Sequence, residues 1–324
     1  MATSGMEDGG DRREKLIPNA VLLAGPTASG KSALALALAR AENRAIVNAD
    51  SMQVYAVLEK ITARPDPDAV AQARHLLYGH VHPSEAYSVG RWAEEVRGLH
   101  TQGAFDGRPP IFVGGTGLYF RALAEGLSTM PEIPEPVRAR WRRRLSVEGP
   151  AALHSVLTAR DRETAASIRP GDGQRLVRAL EVWEASGRSI RWWQNQAGRP
   201  LIDLASARMI VIEPARDLLH RRIEQRFREM AEAGAREEAR AMLDLDLDPA
   251  APALKAIGLR ELMQAEQGEI TLSDAVGKAV AATRRYAKRQ GTWFRHQLDA
   301  RWLRLPVEDD AAPELLVPAL RRTR

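Results

Sequence analysis

Eight residues near the N-terminus, Gly25-Pro26-Thr27-Ala28-Ser29-Gly30-Lys31-Ser32, satisfy the spacing G-x-x-x-x-G-K-[ST] at every fixed position. The apolar run before them, Ala20-Val21-Leu22-Leu23-Ala24, predicts a buried strand, and the Ala/Leu-rich residues 33–41 predict a helix. Strand, glycine loop and helix in that order are the context in which this spacing cradles a phosphate chain. The loop N–H groups and the helix N-terminus converge on one point and favour polyphosphate there. Lys31 adds a point charge, and the Ser32 hydroxyl is placed to hold Mg²⁺. The motif does not say which molecule owns the phosphates, or whether a phosphoryl group moves.

The pattern downstream extends this start into a fold. Residues 45–50 read as a short strand ending on the carboxylate of Asp50, residues 75–81 as another, and residues 110–113 as a third stopped by Gly114-Gly115. Helices are predicted over residues 88–100 and 116–125. Alternating strands and helices argue for an α/β fold, a parallel P-loop NTPase-like sheet flanked by helices. Three prolines, Pro131, Pro134 and Pro136, then make a stiff linker. From residue 129 to 200 the pattern is helical throughout, which predicts a mostly helical insertion domain. The sheet returns at residues 208–212 and is followed by helices, the first with the apolar stripe Leu219, Ile223, Phe227 and Met230, read as core. The expected organisation is a tail at 1–15, a core of 16–128 with 201–310, the insertion at 129–200, and a weakly ordered tail at 311–324.

Composition bounds the partners. The 324 residues carry no cysteine, so disulfides, thiolate zinc sites and a Cys nucleophile are excluded. A reducing, cytoplasmic location fits. No apolar run approaches membrane-spanning length, and residues 1–15 lack the apolar stretch of a signal peptide. The net charge of +5 with a pI near 9.7 permits a nucleic-acid partner without requiring one, because it is carried mostly by Arg scattered along the chain.

The chemistry narrows next. The strand at residues 111–113 ends in Gly-Gly-Thr rather than in the acid that nucleotide-hydrolysing machines use, and no Asn-Lys-x-Asp guanine reader occurs. The strand-end acid is Asp50, which could bind Mg²⁺, take a proton from an acceptor, or cap the following turn. The residues therefore describe transfer between a phosphate-bearing donor and a nucleophilic acceptor, and a small-molecule kinase of this fold is one form of it.

Five segments in register carry a resemblance. They are residues 25–32, Asp50-Ser51-Met52-Gln53-Val54-Tyr55, Gly114-Gly115-Thr116-Gly117-Leu118-Tyr119-Phe120, Gln174-Arg175-Leu176-Val177-Arg178-Ala179-Leu180-Glu181-Val182, and Tyr286-Ala287-Lys288-Arg289-Gln290-x-Thr292-Trp293-Phe294-Arg295. In these the chain resembles the bacterial type of the tRNA dimethylallyltransferase family from about residue 16 to about residue 305. It departs at Ile61-Thr62-Ala63-Arg64-Pro65, where the family has Gly-Thr-Ala-Lys-Pro, and at Leu76-Leu77-Tyr78-Gly79, where the family has a His-Leu-Ile-Asp-like run.

The resemblance implies transfer of a dimethylallyl group from its diphosphate to N6 of the adenosine beside the tRNA anticodon, giving N6-isopentenyladenosine. Residues 25–32 would hold the diphosphate leaving group, with Lys31 and a Mg²⁺ on Ser32 stabilising its growing charge. Arg121 is a further candidate there, equally readable as a solvated helix residue. Asp50 would be the base, and Thr116 would contact the reacting region or cap its helix. Asp50, Ser51, Met52 and Gln53 would hold the extruded base. Gln174, Arg175, Leu176, Val177 and Arg178, with Arg138, Lys255, Arg260 and Arg289, would contact tRNA. Arg284, Arg285, Lys288 and Arg289 share a basic helical face suited to phosphates, with Tyr286, Gln290 and Trp293 on a packing face. Trp192 and Trp193 could stack on bases, though core packing is the simpler use. The implied partners are tRNA and dimethylallyl diphosphate, with no membrane, and the enzyme is expected to act as a monomer. A non-catalytic RNA-binding protein would be the reading if the loop were a relic, which intact Lys31, Ser32 and Asp50 oppose.

Overall fold

The computed structural model describes residues 16–309 and 313–322. Six strands form one sheet: β1 (Val21–Ala24), β2 (Ile46–Asn48), β3 (His75–Leu76), β4 (Ile111–Gly114), β5 (Arg208–Pro214) and β6 (Leu303–Val307). Their order is β3-β2-β4-β1-β5-β6 and every pairing is parallel. β1 lies between β4 and β5 and is buried along its whole length, which explains its uninterrupted apolar run. Thirteen helices accompany the sheet among the described residues. They are α1 (Lys31–Glu42), α2 (Pro67–Gln72), α3 (Val89–Thr101), α4 (Gly117–Glu125), α5 (Glu135–Arg160), α6 (Arg162–Ser167), α7 (Gly173–Ser186), α8 (Ile190–Gln194), α9 (Arg216–Glu232), α10 (Ala235–Asp244), α11 (Leu259–Glu266), α12 (Leu272–Gln297) and α13 (Val317–Arg322).

The period-two alternation of strands assigns the two faces of the sheet. Val21, Leu23, Ile111, Val113, Ile210 and Ile212 pack with Leu34 and Leu38 of α1. On the other face Phe112 meets Trp92 of α3, and Trp92 stacks on Tyr119 of α4 at 4.4 Å. The α/β reading of a parallel sheet with flanking helices is therefore correct. The loops that follow β1, β2 and β4 all leave the carboxyl ends of adjacent parallel strands, where sheets of this kind bind ligands.

Contacts divide the chain into two compact units, residues Met1–Ala124 with Leu201–Arg324, and residues Glu125–Pro200. The second is helical, built on Trp141, Leu153 and Leu157 of α5 against Leu176, Val177 and Leu180 of α7. α5 is kinked where Gly149 adopts φ +77° ahead of Pro150.

Several local expectations need correction. The strand expected over residues 75–81 is only two residues long, because Leu77 and Gly79 take positive φ (63° and 57°) and break it. The sequence reading missed β6, an edge strand that carries Pro306, the position in a sheet where proline is tolerated. Residues 313–322 are structured rather than a weakly ordered tail: Val317 and Leu320 of α13 are buried against α1. The tail expected at residues 1–15 lies outside the described residues.

Candidate active site

The glycine loop runs from the end of β1 to the start of α1. Gly30 caps α1 at φ +87°, a left-handed conformation that side-chain-bearing residues rarely adopt, and so delivers the helix N-terminus to the loop. Lys31 folds back, and its Nζ donates to the carbonyl of Pro26 at 3.2 Å. Burial lowers its pKa from 10.5 to about 8, against the attraction of Asp50 and with a push from Arg226. The Ser29 hydroxyl is buried without a hydrogen-bond partner. Such an orphan, inside a loop of this shape, fits a site completed by a polar ligand. Ser32 is exposed at the head of α1.

Asp50 follows β2 by two residues and is held through Asn48, which is fully buried. The Asp50 N–H donates to Asn48 Oδ1 at 2.8 Å, and Asn48 Nδ2 donates to the carbonyls of Asp50 and Leu77 at 2.9 and 3.0 Å. Trp92 Nε1 donates to the Asn48 carbonyl at 2.8 Å. Asp50 Oδ1 accepts from the N–H of Met52 at 3.0 Å, so the carboxylate also caps the turn that follows it. Its charge acts on Lys31, Arg226 and Tyr286. Burial pushes the Tyr286 phenol above its usual range, and so does Asp50.

The glycines after β4 bring the third segment in. A Cβ on Gly114 would lie 2.0 Å from the Ala49 carbonyl oxygen, and one on Gly115 would lie 2.1 Å from Gln290 Nε2. Only glycine permits the backbone approach at Gly114, and a Cβ at Gly115 would displace the Gln290 amide. Thr116 Oγ1 accepts from the Ser51 N–H at 3.0 Å, which fixes the Asp50 turn to the β4 loop. Gln290 of α12 ties the glycine loops together. Its Oε1 accepts from the Thr27 N–H at 2.9 Å and its Nε2 donates to the Gly115 carbonyl at 2.9 Å. Gln290→Leu would leave a part-buried N–H and a buried C=O unpaired, so we expect it to cost about 1–3 kcal/mol in urea unfolding. A stability within ~0.5 kcal/mol of the parent would show that the bridge holds nothing.

The glycine loop and the Asp50 turn border a cavity of about 250 Å³, whose lining does not include Lys31, Ser32 or Thr116. Thr27 and Ala28 of the glycine loop line it, with Asp50, Ser51 and Met52, then Ile61 and Thr62, Ile223, Arg226, Phe227 and Met230 of α9, residues 255–257, and Thr283, Tyr286 and Arg289 of α12. Its lining combines charged side chains (Asp50, Arg226, Lys255 and Arg289) with apolar ones (Ala28, Ile61, Ile223 and Phe227). The stripe read from sequence as core is both: Ile223 and Phe227 are buried and also form cavity wall.

The other candidates scatter. Arg121 is exposed and absent from the cavity lining. The Gln53 amide donates to the carbonyls of Thr62 and Ala63, both at 2.9 Å, so its N–H groups hold a loop rather than face the cavity. Lys255, Arg260 and Arg289 are exposed, Arg289 lying over the Tyr286 ring. The basic face of α12 divides: Arg284, Arg285 and Lys288 line a second cavity of about 550 Å³ with Pro26, Arg216 and His220, apart from Arg289. In the helical unit Gln174 and Arg175 are exposed and Arg138 and Arg178 half-buried, whereas Leu176 and Val177 are core residues at 0% and 7% exposure and cannot offer side chains to a partner. Trp192 is 41% exposed beneath Arg188, not packed in the core as expected, while Trp193 donates to Ser186 Oγ. Sequence reasoning missed Arg226, Asn48 as the clamp on Asp50, and Gln290 as a bridge.

Among the described residues no three His, Asp or Glu side chains group to hold a metal ion, and no helix is long and apolar enough to cross a membrane. One or two protein oxygens suffice for Mg²⁺ when substrate phosphates complete its shell, and Ser32 at the loop fits that demand.

A parallel sheet with a glycine loop after its central strand, a carboxylate at the next strand end and a cavity joining them defines a P-loop enzyme that handles a phosphorylated substrate. Residues 53–297 match the family model described as IPP transferase, and residues 18–80 match one described as isopentenyl transferase. The chain belongs to the IPP transferase family. It is 59% identical to a tRNA dimethylallyltransferase of Chelativorans sp. (strain BNC1), over 90% of this chain and 100% of that one. It is 54% identical to the enzyme of that name from Mesorhizobium japonicum, over 95% and 96% of the two chains. Its fold is similar to the crystal structure of the full-length tRNA isopentenylpyrophosphate transferase of Bacillus halodurans, with a TM-score of 0.65 and 30% identity over 94% of this chain and 95% of that one. A eukaryotic dimethylallyltransferase captured acting on tRNA gives a TM-score of 0.73 at 25% identity, over 90% and 74%.

Proposed function

We propose that this protein is a tRNA dimethylallyltransferase: it moves the dimethylallyl group of dimethylallyl diphosphate to N6 of the adenosine beside the anticodon. The observation that carries the reading is one cavity bordered by the phosphate loop, Asp50 and an apolar wall. An allylic diphosphate needs a grip for its anion and an apolar surface for its chain. The acceptor amine needs a base, because its lone pair is delocalised into the purine ring.

The loop N–H groups and Lys31 bind the diphosphate, and Arg226 supplies a further cation at the same cavity. As C1–O breaks, the electron pair passes to the diphosphate, and donors already in place stabilise that charge. N6 bonds to C1 and gives its proton to Asp50, whose backbone is fixed by Asn48. Thr116 keeps Ser51 and hence the Asp50 turn in register. Mg²⁺ bound at Ser32 would neutralise part of the diphosphate charge. Ser51 and Met52 border the extruded base, with Gln53 supporting the adjoining loop. Lys255, Arg260 and Arg289 contact tRNA, as do Arg138, Gln174, Arg175 and Arg178 of the helical unit. The cations Arg285 and Lys288 add phosphate contacts. The enzyme acts as a monomer, in the cytoplasm where tRNA is found.

The test uses purified protein, Mg²⁺, an anticodon stem-loop and two labelled donors. Label from dimethylallyl diphosphate should enter the RNA with stoichiometric release of pyrophosphate. Label appearing in an acceptor from γ-labelled ATP, with no prenylated RNA, would replace this reading with a kinase.

A further inference from the structure

Residues 58–64 carry no regular helix or strand, yet their position is fixed from two sides. Glu238 of α10 spends its carboxylate on three successive backbone N–H groups: Oε1 accepts from Glu59 (2.9 Å) and from Lys60, and Oε2 accepts from Ile61 at 3.0 Å. Gln53 Nε2 donates to the carbonyls of Thr62 and Ala63. Charge-assisted bonds to consecutive amides leave a loop little freedom to recede. The residue held at the centre of this clamp is Ile61, whose side chain is 5% exposed and forms part of the cavity wall. It belongs to one apolar cluster with Ala28 of the phosphate loop and with Ile223 and Phe227 of α9.

That cluster matters for the donor. A hydrocarbon chain attached to a diphosphate at Thr27 and Ala28 must lie against apolar surface close to the loop. Ala28, Ile61, Ile223 and Phe227 are that surface. The cavity, at about 250 Å³, is below the roughly 300–1,000 Å³ of pockets for drug-sized ligands, and it must also admit a purine. Its α9 side is backed by a packed core and its Ile61 side by the Glu238 clamp, so neither wall yields cheaply. We propose that Ile61, pinned by Glu238 and standing where the family has glycine, narrows the space this enzyme leaves for the tail of its allylic donor. The proposal rests on the prenyl-transfer reading above; the displacement at C1 is unchanged, and only the tail of the donor differs.

The test compares dimethylallyl diphosphate with geranyl diphosphate, each paired with the same stem-loop, for the parent enzyme, Ile61→Ala and Ile61→Val. A misfit of one methylene in an apolar pocket is worth about 10–200-fold in kcat/KM. Ile61→Ala should therefore raise the ratio of kcat/KM for geranyl over dimethylallyl diphosphate by at least about tenfold, with Ile61→Val shifting it less in the same direction. Glu238→Gln, which loosens the clamp without touching the cavity, should also raise the ratio. An unchanged ratio in a folded variant that still uses dimethylallyl diphosphate would overturn the proposal. A higher KM for the stem-loop with no change in donor ratio would also overturn it, because Ile61 would then face the base. Should Ile61→Ala fail to fold, Ile61→Val decides alone. Failure of the parent enzyme to prenylate RNA from dimethylallyl diphosphate would instead strike the functional reading beneath.

Discussion

Asp50→Asn is expected to lower kcat for prenyl transfer by roughly 10²–10⁴, the usual contribution of a positioned base, while the KM values of both substrates change little. The isostere keeps the geometry. The Met52 N–H still finds an oxygen at position 50, and Asn48 still grips the backbone, since those bonds run through main-chain atoms. What disappears is the ability to accept the N6 proton. Asp50 raises the pKa of Lys31, so its removal shifts Lys31 towards the neutral amine, and saturating donor takes any change in donor binding out of the comparison. Rapid-mix single-turnover assays at saturating donor and stem-loop isolate the chemical step. A kcat within about threefold of the parent, with only the Mg²⁺ requirement altered, would make Asp50 a metal residue instead of the base.

The same neighbourhood shows where sequence reading succeeds and where it stops. The glycine loop was legible because its chemistry is local: eight consecutive residues between a buried strand and a helix specify both conformation and charge. β1, β2, β4 and β5 were legible because burial on both faces requires continuous apolar runs. β6 was not, since an edge strand needs fewer apolar residues and here carries Arg304 and Pro306. Arg226 was hidden for a different reason. Nothing near it in sequence distinguishes it from the other arginines of α9, and its proximity to Lys31 and Asp50 arises only when α9 packs against the loop. Gln290 did leave a trace. It is the polar residue on the face shared by Tyr286 and Trp293, and a buried amide on such a face must be bridging something. The helical unit misled in one respect: a contiguous segment such as residues 174–178 spans more than one turn of α7, so Leu176 and Val177 point inward while Gln174 and Arg175 point out.

Lys31→Ala should reduce kcat/KM for dimethylallyl diphosphate by about 10²–10³ or more, the scale seen when one preorganised donor to a developing anion is removed. The affinity for the stem-loop should stay within a few-fold, because Lys31 sits beneath the loop with its Nζ on the Pro26 carbonyl. Its titration supplies a second readout. Burial brings the free-enzyme pKa of Lys31 down to about 8. Below that pH the ammonium is protonated and attracts the diphosphate; above it the amine is neutral and that attraction fades. Donor KM for the parent should therefore climb as pH rises through about 8, while Lys31→Arg, whose guanidinium stays charged, should hold a flat KM across the same range at a lower kcat. The bound diphosphate stabilises the protonated form, so kcat at saturating donor should lose activity only at higher pH than kcat/KM does. A parent profile that stays flat through this window, or a Lys31→Ala enzyme with undiminished kcat/KM, would take the leaving-group role away from Lys31 and leave the loop N–H groups and Arg226 to carry the departing charge.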